Sequence, residues 1–230
     1  MNTNRRATVI AGALVIVGMI AGVLSVVPVL EEPRYLHLIS AHERQVIVGA
    51  VSQFIMIPAY VGFALYLYPT LRMENEALSL GFLGFRLIAA TFHFVGVLLL
   101  PLFLVLGQEF AHAGASDAVR LEVIGELLRM ARDLVNHVAL ILSLGLGDLL
   151  FFAILYRSRI VPRWLSAWGL LGVVLAMSAS FLVLFRLTDV VTPLYLSINA
   201  PLALQSLVLA IWLITRGFDT KALPTGHRRG

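Results

Sequence analysis

LVNHVALILSLGLGDLLFFAILY (134–156), RSRIVPRW (157–164) and LSAWGLLGVVLAMSASFLVLFRL (165–187) follow one another without a break in this chain. Each outer stretch is an apolar run interrupted by one charge, Asp148 in the first and Arg186 beside the end of the second. A bilayer core of ~30 Å needs about 20 residues of helix at ~1.5 Å each. Both runs satisfy that length, and the basic turn between them stops them from merging. The motif reads as a transmembrane helical hairpin. Working outward from it, four more runs of the same kind occur at residues 7–30, 45–68, 77–106 and 194–215. The fold class expected is all-α, an integral membrane bundle of six transmembrane helices. The third span, 77–106, is the longest and carries Pro101 near its end. It is expected to tilt, kink or project beyond the hydrocarbon. Alternating strands of about ten residues, which a membrane β-barrel needs, are absent from the pattern.

Composition agrees with this reading. Of 230 residues, 60% are hydrophobic and 13% charged, and mean hydropathy is +0.92. A soluble domain, with about 25% charge, cannot hide so much apolar surface. Disorder is excluded for the same reason. With no cysteine in the chain, thiol nucleophiles, iron–sulfur clusters and Cys-ligated zinc are excluded too. One transmembrane domain is expected over 1–218, with a basic tail over 219–230.

Lys and Arg set the expected orientation. Ten cations fall on the side holding Arg5, Arg72, the turn at Arg157–Arg163 and the C-terminal tail. Six fall on the other side, and Arg86 lies within a span. Both termini are therefore expected in the cytoplasm. Tyr66, Tyr68, Tyr156, Trp164, Trp168 and Trp212 fall near the proposed inner interface, where amphipathic rings settle. The net charge of +4 then faces anionic lipid. No loop holds a basic cluster dense enough for nucleic acid. The first span, preceded by Arg5 and Arg6, is read as a retained signal anchor.

Local signals mark several boundaries. Ser40-Ala41-His42-Glu43 has the capping-box pattern, so the second helix is expected to start at Ser40. Pro162 is expected to open the fifth helix. Residues 117–133, ahead of span four, place Leu121, Ile124, Leu128 and Ala131 on one helical face. They are expected to form an amphipathic outer helix or an extension of the fourth span. Gly18 and Gly22 permit close helix approach, within the chain or in a homo-oligomer. Tyr68, Leu78-Ser79, Gly81 and Gly84 recur as Tyr156, Leu165-Ser166, Gly169 and Gly172, an offset of 87 or 88 residues. This echo raises a parallel repeat of spans two–three and four–five.

Three stretches carry a family resemblance. YRSRIVPRWLSAWGLLG (156–172), YPTLRMENEALSLGFLGFR (68–86) and LVLAIWLITRGF (207–218) resemble landmarks of an uncharacterised bacterial membrane family grouped as domain of unknown function 4386. The resemblance runs from about Ala7 to Phe218. It implies a multi-span bacterial membrane protein, expected in the inner membrane, and supplies no activity. The family pattern carries a carboxylate three residues after the Arg at position 86, where this chain has Ala89. Arg86 consequently needs another partner.

Ionisable groups inside a membrane are costly and point to function or to locking contacts. Arg86 and Asp148 each lie eight or nine residues from the cytoplasmic end of their spans, roughly 12–14 Å deep. Equal depth and opposite charge on antiparallel neighbours predict an Arg86–Asp148 ion pair. His93 shares a helix face with Arg86, and His137 shares one with Asp148. Gln53, Asn199 and Gln205 add neutral polar groups, near Pro58 and Pro201, which free backbone carbonyls. With His93 and His137 they form the candidate polar cavity. Glu109 and His112 have the spacing of a helical metal pair, but flanking Gly107 and Gly114 suggest a loop, and no metal site is assigned. HExxH, G-x-S-x-G and P-loop motifs are missing.

These groups leave three functional readings. The favoured one is non-enzymatic: binding or transport of a small amphiphile or lipid in an intramembrane polar cavity, without a cofactor. The second is a haem- or quinone-linked redox protein using His93 and His137. The third is an accessory subunit or scaffold docking a partner through the outer segment 117–133.

Overall fold

The structure, a computed structural model, describes residues 3–219. Its helices are α1 (Thr3–Leu24), α2 (Tyr35–Leu38), α3 (Glu43–Glu74), α4 (Glu76–His112), α5 (Ala115–Asp133), α6 (Leu140–Ser158), α7 (Arg163–Leu184) and α8 (Pro193–Thr215). No strand occurs among the described residues. Six helices are long and apolar enough to cross a membrane, so the protein is a multi-pass helical bundle. The tail expected over 219–230 lies outside the described residues apart from Asp219, whose N–H donates to Ile160 O at 2.9 Å.

The six long helices close into a ring. Each of α1, α3, α4, α6, α7 and α8 packs on the next, and α8 returns to α1. Both ends of the described stretch share one face of the bundle. There the Arg5 guanidinium donates to Leu213 O at 2.7 Å, to Thr215 O at 3.1 Å, and to Ile214 O. These carbonyls at the end of α8 have no partner within their own helix, and a cation there also complements the helix dipole. The same end of the bundle holds an aromatic and aliphatic core built from Phe63, Leu67, Phe82, Phe151, Leu155, Leu165 and Leu213.

At the opposite end α4 and α5 extend past the hydrocarbon. The 37 residues of α4 span ~55 Å at ~1.5 Å per residue, against a core of ~30 Å. The overhang supports a second, smaller core: Val29, Leu30, Tyr35, Leu36 and Ile39 pack on Phe103, Leu106 and Phe110, with Leu121 and Leu128 of α5 against them. Gly125 gives this contact its closeness, because a Cβ there would sit 2.3 Å from the Tyr35 hydroxyl oxygen. Arg132 is buried under this cap and pairs with Asp133 at 3.3 Å and Glu31 at 3.6 Å.

Several boundaries differ from the sequence expectations. The first span ends at Leu24, not Leu30, because the chain bends into a 3-10 turn opened by Pro28. Ser40 does not cap the second long helix. It lies inside the 3-10 turn Ile39–His42, and α3 starts at Glu43 without a side-chain cap. Pro162 stands one place earlier than expected, as the N-cap of α7. The stretch Glu109–His112 is helical despite Gly107, whose missing side chain makes room for Ile39. The buried face of α5 follows Leu121, Gly125, Leu128 and Arg132, leaving Ile124 exposed. A π-helical stretch, Leu134–Ala139, joins α5 to α6.

Candidate functional site

Helices α4 and α6 are ring neighbours, and the structure joins Arg86 to Asp148 through Nη2 and Oδ1. The pair is buried, with side-chain exposures of 8% and 15%. Three rings surround the guanidinium carbon, their centroids 5.3 Å (Phe63), 5.4 Å (Phe82) and 5.8 Å (Tyr60) away. Their π faces favour a cation, so the rings help to hold the guanidinium among apolar side chains. Gly147 lets the helices approach, since a Cβ there would stand 3.3 Å from Phe82 O on α4. Contact to Asp148 uses one guanidinium nitrogen. Arg86 Nε is buried with no hydrogen-bond partner.

The pair forms part of the wall of a cavity of about 290 Å³. Val15 and Met19 of α1, Tyr60 and Phe63 of α3, Leu144, Phe151 and Phe152 of α6, and Asn199, Leu202, Ser206 and Leu209 of α8 complete most of it. The lining is a greasy shell with a small polar arc. Arg86, Asp148, the Tyr60 hydroxyl, Asn199 and Ser206 supply that arc. Small-molecule sites share this composition of apolar walls with a few placed polar groups, at volumes of about 300–1,000 Å³.

The other polar groups singled out in the sequence take separate places. Asn199 lines the cavity and its Nδ2 donates to Tyr195 O at 2.9 Å. His93 stands behind Tyr60, ring stacked on ring at 5.9 Å. Gln205 is fully buried and its Nε2 donates to Leu165 O at 3.1 Å, tying α8 to α7. Gln53 is buried on α3 with Oε1 unpartnered. His137 Nδ1 lies 2.9 Å from the Tyr195 hydroxyl, in the apolar cluster of Val138, Ala179 and Val183. His93 and His137 therefore face different neighbours, on α3 and α8. Glu109 and His112 are both exposed near the end of α4. Among the described residues no three His, Cys, Asp or Glu side chains are grouped to hold a metal ion.

Sequence reasoning passed over Tyr60, Ser206 and Asn136. Tyr60 was legible in principle, as a hydroxyl-bearing ring at mid-span where the aromatic belts leave off. Asn136 lies in the π-helical stretch, a form that recurs at functional sites. Its amide is buried with both polar atoms unpartnered, against Gly96. No curated protein and no solved structure matches this chain. A family model matches residues 10–217, and the chain belongs to that family, described as Domain of unknown function (DUF4386).

Proposed function

We propose that this protein binds or moves a small amphiphile within the bundle, without chemical conversion. The supporting observation is the Arg86–Asp148 pair on the wall of a mostly apolar cavity. A pair that served only to lock α4 to α6 needs no space beside it. Here a void of about 290 Å³ adjoins it. The polar head of the amphiphile sits on the Arg86, Asp148 and Asn199 arc, and its apolar body lies against Phe151, Phe152, Leu202 and Leu209. A two-chain phospholipid is too large for this space, so the lipid alternative narrows to single-chain or ring compounds. In this reading the chain resides in a bacterial inner membrane with both termini cytoplasmic, as the cation count supports. A cysteine placed at exposed Glu76, at the turn between α3 and α4, tests that orientation: a membrane-impermeant maleimide is expected to label it in inverted vesicles and not in intact cells, and labelling in intact cells would overturn it.

Native mass spectrometry of gently extracted protein tests the occupant. Wild type is expected to carry a bound small molecule, and Ser206→Phe, which fills the cavity from α8, is expected to lack it while remaining folded. Equal occupancy in both would refute the cavity assignment.

A further inference from the structure

Resting on that cavity reading, we propose that the occupant is a small monocarboxylic acid with an apolar tail, taken up as its anion together with one proton. Three features carry this. First, Arg86 is under-used. A guanidinium offers five donors in a planar fork suited to carboxylates, and Asp148 engages one nitrogen, Nη2. Arg86 also lines the cavity, where a second carboxylate can share the guanidinium. Second, the wall already balances its charge, one cation against one anion. Bringing in a carboxylate alone would leave a net negative charge among Phe63, Phe151, Phe152 and Leu209, which low-dielectric surroundings oppose. Two carboxylates on one guanidinium must therefore share a proton, as paired carboxylates do elsewhere. Third, size fits. At roughly 30 Å³ per heavy atom, the share of a molecule in liquid water, the cavity holds about ten heavy atoms, the number in an eight-carbon acid.

The exchange is simple. One carboxylate and one proton enter from water, no covalent bond forms or breaks, and the cluster stays neutral. The proton lies between the ligand and Asp148. Around Asp148 the titratable and charged neighbours are Arg86 from α4 and Tyr60 from α3, with His93 behind Tyr60. The lining contributed by α1 and α8 contains no titratable side chain. Beyond Arg163, α7 has none either.

The experiment uses octanoate and 1-octanol with the full chain in nanodiscs of zwitterionic phospholipid, empty discs serving as the blank. For wild type, the apparent Kd for octanoate is expected to rise tenfold per pH unit between pH 7 and 9, and a pH dye should report one proton taken up per octanoate bound. In Asp148→Asn, Arg86 balances the anion by itself, so octanoate is expected to bind with no proton uptake and no pH slope. A wild-type Kd independent of pH overturns the proposal. So does a slope that persists in Asp148→Asn, which would mean that the neutral acid enters as any apolar solute does. Binding of octanol without octanoate overturns the acid while leaving the cavity reading intact. Binding of neither removes both. If Asp148→Asn does not fold, the wild-type slope and proton count still decide for or against proton uptake, and Asp148→Glu, expected to retain the slope, takes its place.

Discussion

Removing one partner of the Arg86–Asp148 pair should cost far more than removing both. Breaking a buried pair from one side costs ~3–5 kcal/mol, while replacing both members with apolar residues is often neutral. The two single variants are expected to differ in kind. In Asp148→Leu the guanidinium cannot shed its proton and has only the faces of Tyr60, Phe63 and Phe82 to hold it. In Arg86→Leu the stranded carboxyl escapes its charge by taking a proton. With an ordinary Asp pKa of ~3.9 and ~1.36 kcal/mol per unit, that costs about 4 kcal/mol at pH 7 and about 1.5 kcal/mol at pH 5. The folded variant then holds a proton that the unfolded chain releases, so its stability falls as pH rises from 5 to 7. Arg86→Leu should therefore regain about 2.7 kcal/mol relative to wild type between pH 7 and pH 5, and Asp148→Leu should not. Equilibrium unfolding in mixed detergent and SDS, read by circular dichroism at both pH values, measures this. If the double Leu variant lost as much as the two singles together, or if Arg86→Leu matched wild type at pH 7, the pair would not be buried as described.

Three other substitutions probe neighbouring contacts. Gly96→Ala puts a Cβ 2.3 Å from Asn136 Oδ1; a loss of ~1–3 kcal/mol is expected, largely recovered in the Gly96→Ala/Asn136→Ala double variant by thermal unfolding. Gln205→Leu removes the bond to Leu165 O but also an unpartnered carbonyl oxygen; with interhelical bonds in membranes averaging ~0.6 kcal/mol, the melting temperature should barely move. Arg5→Ala uncaps α8 at a cost of about 1 kcal/mol, seen as faster hydrogen exchange at residues 213–217 with the remaining helices unchanged.

The bundle was legible in the sequence because each hydrocarbon crossing writes itself as a run of apolar residues that no other fold requires in such number. The joining of Arg86 to Asp148 could be anticipated from depth alone, since adjacent antiparallel helices bring residues of equal depth to one level. What depth cannot supply is azimuth. His93 and Gln205 sit inside spans as expected, yet they turn toward Tyr60 and Leu165, because each helix face is set by close-packed neighbours many residues away. The repeated Gly and Ser residues show the same limit. Gly81 and Gly169 both receive side chains of α6, Leu150 and Phe152, whereas Gly84 has open space and Gly172 lies against Leu202. Equal spacing in sequence did not become equal packing. The helix-capping pattern at Ser40 failed for a local reason: the preceding residues were drawn into the cap beneath Phe103 and Phe110, which set the entry angle of α3.

Size and significance run in opposite directions among the voids of this protein. A larger hollow, about 670 Å³, lies between α3 and α4 beside Phe54, Pro58, Leu87 and Phe94, with Thr91 its one polar side chain. Phe54 and Leu87 are half exposed, so in a bilayer this surface meets acyl chains. Lipid tails are as apolar as that lining and fill it with no selective gain. The smaller cavity behaves differently. A bare acyl chain entering it would offer no hydrogen-bonding partner to Arg86, Asp148, Asn199 and Ser206 on its wall, and each polar group left unsatisfied in hydrocarbon costs several kcal/mol. A molecule with acceptor oxygens at one end avoids that penalty and still fills the space beside Phe151 and Phe152. The polar part of the wall, more than the volume, therefore selects the occupant, and it selects one with an oxygen-bearing head over the lipid chains that surround the bundle in great excess.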